Sequence, residues 1–175
     1  MKETGKVQLY IGNGKGKTTA ALGLAFRAMG CGKKTLILQF MKNGCFNELK
    51  ACVCCDDKIV IEQYGQKEFY LPAKSNYIEH RASAKKGIDR AFSIIENNEY
   101  NLLVLDEIVN ALYFNLITFE EIENIIRNKP SDMDMVLTGR EAPDLLIELC
   151  DLVTEMKEVK HYYSAGEEPR EGIEF

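Results

Sequence analysis

Short apolar runs recur along the chain, and stretches of helical periodicity separate them. Val7–Ile11, Thr35–Phe40, Ile59–Gln63, Leu102–Leu105, Met135–Thr138 and Leu152–Glu155 each read as a buried strand. Runs such as Leu102-Leu103-Val104-Leu105 are apolar without alternation, which suits strands covered on both faces of a parallel sheet. Between them, Thr18–Met29 carries Ala21, Leu22, Ala25 and Met29 on one helical face, with Gly30 placed to stop it. Within Ser75–Glu96, Ala84, Ile88, Ala91, Phe92 and Ile95 recur at helical spacing. Thr118 and Glu121 make a capping-box pattern ahead of Ile122, Ile125 and Ile126, a face that reads as core, and Pro130 lies beyond its end. Pro143 suits the first position of a helix running through Leu149. Strand alternating with helix predicts an α/β fold with a mostly parallel central sheet. No linker-like, repetitive or low-complexity stretch breaks the pattern, so residues 1–175 read as a single domain. In such sheets the ligand lies beyond the carboxyl ends of the strands, so the chemistry belongs just after each apolar run.

That position holds the strongest local signal, Gly12-Asn13-Gly14-Lys15-Gly16-Lys17-Thr18-Thr19, between the first strand and the first helix. Glycines there permit a tight curl that aims backbone N–H groups at phosphate oxygens, and the helix N-terminus adds partial positive charge. Lys17 can reach between phosphates, and the Thr18 hydroxyl can coordinate Mg²⁺. The strict G-x-x-x-x-G-K-[ST] spacing is not met, because Ile11 stands five positions before Gly16. The loop is one residue short if Gly12 is its first glycine.

Two further strand ends carry chemistry. Asp106 and Glu107 follow Leu102–Leu105 and suit Mg²⁺, held directly or through water. Arg140, in Thr138-Gly139-Arg140, falls on the same sheet edge and can meet phosphate or pair with a surface carboxylate. His80 and His161 have no carboxylate or cysteine at ligand spacing and read as packed or exposed side chains. Phosphate binding names no reaction. A phosphotransferase, an ATPase with Glu107 orienting water, and a non-catalytic binding module all remain open at this point.

Composition narrows the setting. The 175 residues include 22 Lys+Arg against 27 Asp+Glu, a net charge of −5, which disfavours a nucleic-acid binder. No apolar window approaches the ~18 residues of a membrane span. The stretch Met1-Lys2-Glu3-Thr4-Gly5 lacks the apolar core of an export signal, so a cytoplasmic protein is expected. Cys45, Cys52, Cys54 and Cys55 cluster without the paired C-x₂-C spacing of a thiolate metal site, and read as reduced thiols.

Taken in order, these blocks resemble the P-loop family of ATP:corrinoid adenosyltransferases. The resemblance rests on Gly12 to Ala21, Gly30 to Lys34, Gln39-Phe40 with Lys42, and Leu105-Asp106-Glu107. It continues through Val136 to Arg140, Asp151 to Met156, Val159-Lys160-His161 and Gly172 to Phe175. It implies a P-loop NTPase-like, RecA-like three-layer fold. It also implies transfer of the 5′-deoxyadenosyl group of ATP to a cob(I)-corrinoid, as in cobalamin biosynthesis or salvage, with triphosphate leaving. Gly12, Asn13, Gly14, Lys15, Gly16, Lys17, Thr18, Thr19 and Arg140 would then bind ATP. Lys17, Thr18 and Glu107 would be catalytic, and Thr18, Asp106 and Glu107 would hold Mg²⁺. Phe69 and Tyr70 occupy the stretch where the family holds a four-coordinate corrinoid between apolar side chains. A reduced flavoprotein electron donor and a homodimer are implied as partners. Longer members carry an arm ahead of the first strand, whereas here that strand begins near Lys6.

Overall fold

The computed structural model describes residues 4–68 and 76–174. Strands β1 (Val7–Ile11), β2 (Thr35–Phe40), β3 (Ile59–Tyr64), β4 (Leu102–Asp106), β5 (Asp134–Thr138) and β6 (Leu152–Glu155) form one sheet in the order β3-β2-β4-β5-β1-β6. Every pairing is parallel. Helices α1 (Lys17–Met29), α2 (Asn47–Cys52), α3 (Tyr77–Asn97), α4 (Ile108–Tyr113), α5 (Phe119–Asn128) and α6 (Asp144–Glu148) connect the strands.

Alternating strand residues feed two cores, which gives the three layers. Leu9, Leu36, Leu38, Leu103, Leu105 and Leu137 pack with Ile88 and Ile94 of α3 and Ile122 and Ile125 of α5. On the opposite face Ile37, Val104 and Val136 meet Ala21 and Ala25 of α1, whose small side chains let the helix lie close. The expected face of α5 is fully used, with Ile122 and Ile125 both 0% exposed. Its capping box is formed as read: the Glu121 N–H donates to Thr118 Oγ1 and the Thr118 N–H to Glu121 Oε2.

Besides one-residue extensions of β3, β4, β5 and α1, three details differ from the sequence reading. β6 has the expected limits but is an exposed edge strand, not a buried one, because β1 is its neighbour on one side and the sheet ends on the other. Pro143 is the residue before α6, extended at ψ 149°, so the helix starts one position later. Gly30 follows α1 in a right-handed conformation, and the left-handed turn falls on Gly32 at φ 78°. His80 is packed inside, and burial lowers its pKa. Among the described residues no helix is long and apolar enough to cross a membrane.

Candidate functional site

The loop after β1 is tied at its base to both neighbouring strands. The Gly12 N–H donates to the Arg140 carbonyl beyond β5, and the Gly14 N–H donates to the Met156 carbonyl beyond β6, each at 2.7 Å. Gly12 has φ 108°, and a Cβ there would stand 2.4 Å from the Met156 carbonyl oxygen, so no other residue fits without moving the strand. Gly16, at φ 112°, turns the chain into α1. These two anchors give a physical reason for the short loop: its first half is fixed by β5 and β6 as well as by its own curl.

Lys17 points back into this curl. Its Nζ donates to the Gly12 and Gly14 carbonyls at 2.7 and 2.8 Å, and burial lowers its pKa against the opposing pull of Glu107 and Asp106. Lys15 points the other way, to Glu174 Oε1 at 2.6 Å and the Tyr162 hydroxyl at 3.2 Å. The Tyr162 hydroxyl also donates to Glu174, and the Arg170 guanidinium stacks 4.8 Å from the Tyr162 ring centre.

Asp106 is the polar centre of the site and is fully buried. Its Oδ1 accepts from the Thr18 and Thr138 hydroxyls, both at 2.8 Å. Its Oδ2 accepts from Lys42 Nζ at 2.7 Å and Gln39 Nε2 at 3.4 Å. A buried carboxylate with this many donors is held in one orientation, and it orients Thr18 in turn.

Glu107 follows at φ 63°, a left-handed backbone that turns its carboxylate out of the strand. Asn110 ties it down: Asn110 Nδ2 donates to Glu107 Oε2, while Asn110 Oδ1 accepts the Arg140 N–H at 2.9 Å. Burial, then Asp106, push the Glu107 pKa up, against Lys42, Lys17 and Arg140. A carboxylate pressed towards neutrality in this way gains from a cation beside it.

Two cavities meet here. The first, about 600 Å³, is lined by the loop from Asn13 to Thr19, with Phe46 and Glu48 on one side and His161, Gly172, Ile173 and Glu174 on the other. The second, about 410 Å³, has an apolar wall of Phe40, Met41, Tyr113 and Phe114. Lys42, Glu107 and Arg140 line both. The structure therefore gathers Lys17, Thr18, Glu107 and Arg140 around one volume, while Gly12 and Asp106 stand behind its walls. Phe69 and Tyr70 lie outside the described residues.

Thr18 and Glu107 offer oxygen donors of the kind Mg²⁺ takes, and Mg²⁺ completes its shell with phosphate and water. The site fits that ion on donor chemistry. Among the described residues no three or more His, Cys, Asp or Glu side chains gather as a protein-only metal site. The clustered cysteines are free thiols, with Cys52 pushed up to about 11 by burial. Asn110, the Lys42–Asp106 pair and the closing segment 161–174 were not assigned roles from sequence. Lys42 and Glu174 are legible from sequence only as members of family-like blocks, Gln39-Phe40 with Lys42 and Gly172 to Phe175.

The chain matches, over residues 3–175, the family described as ATP:corrinoid adenosyltransferase BtuR/CobO/CobP. It belongs to this family. It is 30% identical over 179 residues to the corrinoid adenosyltransferase of Escherichia coli K12, covering 99% of this chain and 87% of that protein. It is 32% identical over 174 residues to a corrinoid adenosyltransferase of a Sinorhizobium species, covering 99% of this chain and 81% of the relative. The corrinoid adenosyltransferase CobA of Salmonella typhimurium is 28% identical over 180 residues, again covering 99% of this chain and 87% of the relative. The family match spans every residue named at the site, from Gly12 to Glu174.

Proposed function

We propose that this chain transfers the 5′-deoxyadenosyl group of ATP to the cobalt(I) of a corrinoid and releases triphosphate. The observation that carries this reading is the pair of adjoining cavities. One is built on a phosphate loop, the other has apolar aromatic walls, and Lys42, Glu107 and Arg140 separate them. A nucleotide on the loop with C5′ at that shared wall would face a corrinoid entering from the second cavity.

In-line attack at carbon asks little acid–base work of the protein. The cobalt(I) lone pair forms the Co–C5′ bond as the C5′–O bond breaks, and its electron pair leaves on triphosphate. Cobalt passes formally to cobalt(III), and no proton moves. The protein's task is to hold C5′ in line and to meet the charge that develops on the leaving group. In this reading the Gly14 to Thr19 amides, Lys17 and Arg140 hold the triphosphate. Gly12 shapes the loop, and Asn13 and Lys15 border its outer side. Thr18 and Glu107 would hold Mg²⁺, with Asp106 acting through the Thr18 hydroxyl. Bound there, Mg²⁺ supplies charge neutralisation to the phosphates. Phe69 and Tyr70 are assigned to the corrinoid, a reduced flavoprotein to the supply of cobalt(I), and a homodimer to the assembly. Residues 1–175 act as one domain.

The test is anaerobic incubation with MgATP and chemically reduced cob(I)alamin or cobinamide. A light-sensitive alkyl-cobalt spectrum with stoichiometric triphosphate is expected. Orthophosphate without a carbon–cobalt bond would make the chain an ATPase, and bound ATP without either product would make it a binding module.

A further inference from the structure

Lys42 is fixed more firmly than a surface lysine. It follows Met41, whose φ of 59° is unusual for an unbranched side chain and turns the chain at the end of β2. That turn brings Nζ to 2.7 Å from the buried Asp106 Oδ2 and 3.4 Å from Thr18 Oγ1, with the Phe46 ring centre 5.8 Å away. The side chain remains 20% exposed, and it lines both cavities. The two lysines of the loop point away from Lys42, Lys17 into the curl that receives the triphosphate and Lys15 to Glu174.

We propose that Lys42 is a catalytic residue of adenosyl transfer, its ammonium placed at the shared wall to meet the oxygen that leaves C5′. This rests on the adenosyltransferase reading above and adds to it the group that takes the charge nearest the breaking bond. The loop receives the phosphates, and the second cavity receives the corrinoid. The C5′–O bond therefore breaks at the wall between them, where Lys42 already stands. As that bond breaks its electron pair passes to the triphosphate oxygen, and a cation held in place beforehand stabilises it without reorganising. Asp106 supplies the hold: a single buried carboxylate positions both Thr18 and Lys42.

The test uses Lys42→Gln, whose amide can still donate to Asp106 without the charge, and Lys42→Arg, which keeps the charge. Both are assayed with MgATP and cob(I)alamin reduced by titanium(III) citrate, following the carbon–cobalt bond and triphosphate. The expected result for Lys42→Gln is a kcat lower by about 10²–10³-fold, with MgATP affinity within about threefold of the parent. Lys42→Arg should recover at least about a tenth of the parent rate. A Lys42→Gln enzyme with parental kcat overturns the proposal. So does equal loss of MgATP binding and turnover, which would make Lys42 a structural partner of Asp106. If Lys42→Gln is insoluble, the same kcat-against-affinity comparison is made on Lys42→Met, which keeps the length without the charge: parental values in both overturn the proposal, and a selective fall in kcat supports it. A parent protein that makes orthophosphate and no carbon–cobalt bond overturns both this and the reading beneath it, a different outcome from an active parent with an indifferent variant.

Discussion

Lys15 and Lys17 sit two positions apart on one loop and end in opposite electrostatic states. Lys17 turns inward to backbone carbonyls, and burial lowers its pKa. Lys15 turns outward to Glu174 and Tyr162, whose hydrogen bonds raise its pKa. Among the described residues the inner lysine faces neutral dipoles at short range with no direct counter-ion, so a phosphate would supply a full negative charge. The outer lysine already has that charge, from a carboxylate on the closing segment. The difference separates a group positioned for a ligand from one that latches the protein to itself. The sequence reading places both lysines on ATP and gives Lys17 alone the catalytic role.

The sharpest way to break this contrast is to remove the carboxylate behind the inner side. Asp106→Ala leaves Lys42, Thr18, Thr138 and Gln39 facing an apolar methyl, and removing one partner of a buried ion pair costs about 3–5 kcal/mol. A fall of that size in chemical-denaturation stability is expected, with no measurable change for Glu174→Ala. If the two variants unfold alike, the inner network contributes no more than the outer latch.

The two lysines can then be compared in one assay. Lys17→Ala should lower kcat for triphosphate release by about 10²–10³-fold, the ~3–4 kcal/mol typical of a donor to developing charge. Lys15→Ala should lower it by less than about threefold, the scale of a solvent-screened pair. Equal losses would mean that Lys15 leaves Glu174 for the phosphates when nucleotide binds, and the contrast drawn above would hold only without ligand.

Much of this arrangement was legible, for identifiable reasons. β1, β2 and β6 have the limits read from sequence, each starting directly after a charged residue, Lys6, Lys34 or Asp151. The loop and the Asp106-Glu107 pair were legible because adjacent residues carry the signal. What was missed lacks such a signal. α2, Asn47–Cys52, buries no residue and so has no apolar stripe to read. α4, Ile108–Tyr113, starts from Glu107 in a left-handed conformation, which gives no capping pattern. Asp106 read as a metal ligand from its place at a strand end. Its burial under Thr18, Thr138, Gln39 and Lys42 depends on three other strand ends or loops and is invisible locally. The Lys15–Glu174 bond joins residues 159 apart, beyond any periodic pattern.

The smallest effect tests the latch itself. Lys15, then Tyr162, hold the Glu174 carboxyl well below the usual carboxylate range. A carboxyl depressed on folding stabilises the folded segment at every pH above its unfolded value near 4.5, and that contribution is lost as pH falls through the lower folded value. From neutral pH down to about 5 the latch should therefore stay closed. The Arg170 N–H donates to Glu174 Oε2 at 2.6 Å, so its hydrogen exchange reports directly on the bond. After correction for intrinsic exchange rates, Arg170 protection should be flat over that range in the parent. It should fall roughly twofold to fivefold in Glu174→Gln, the scale of an exposed charged contact. Protection that declines steadily below neutrality would place the proton on another group, and the closing segment would then be held by packing of Tyr162 rather than by Lys15.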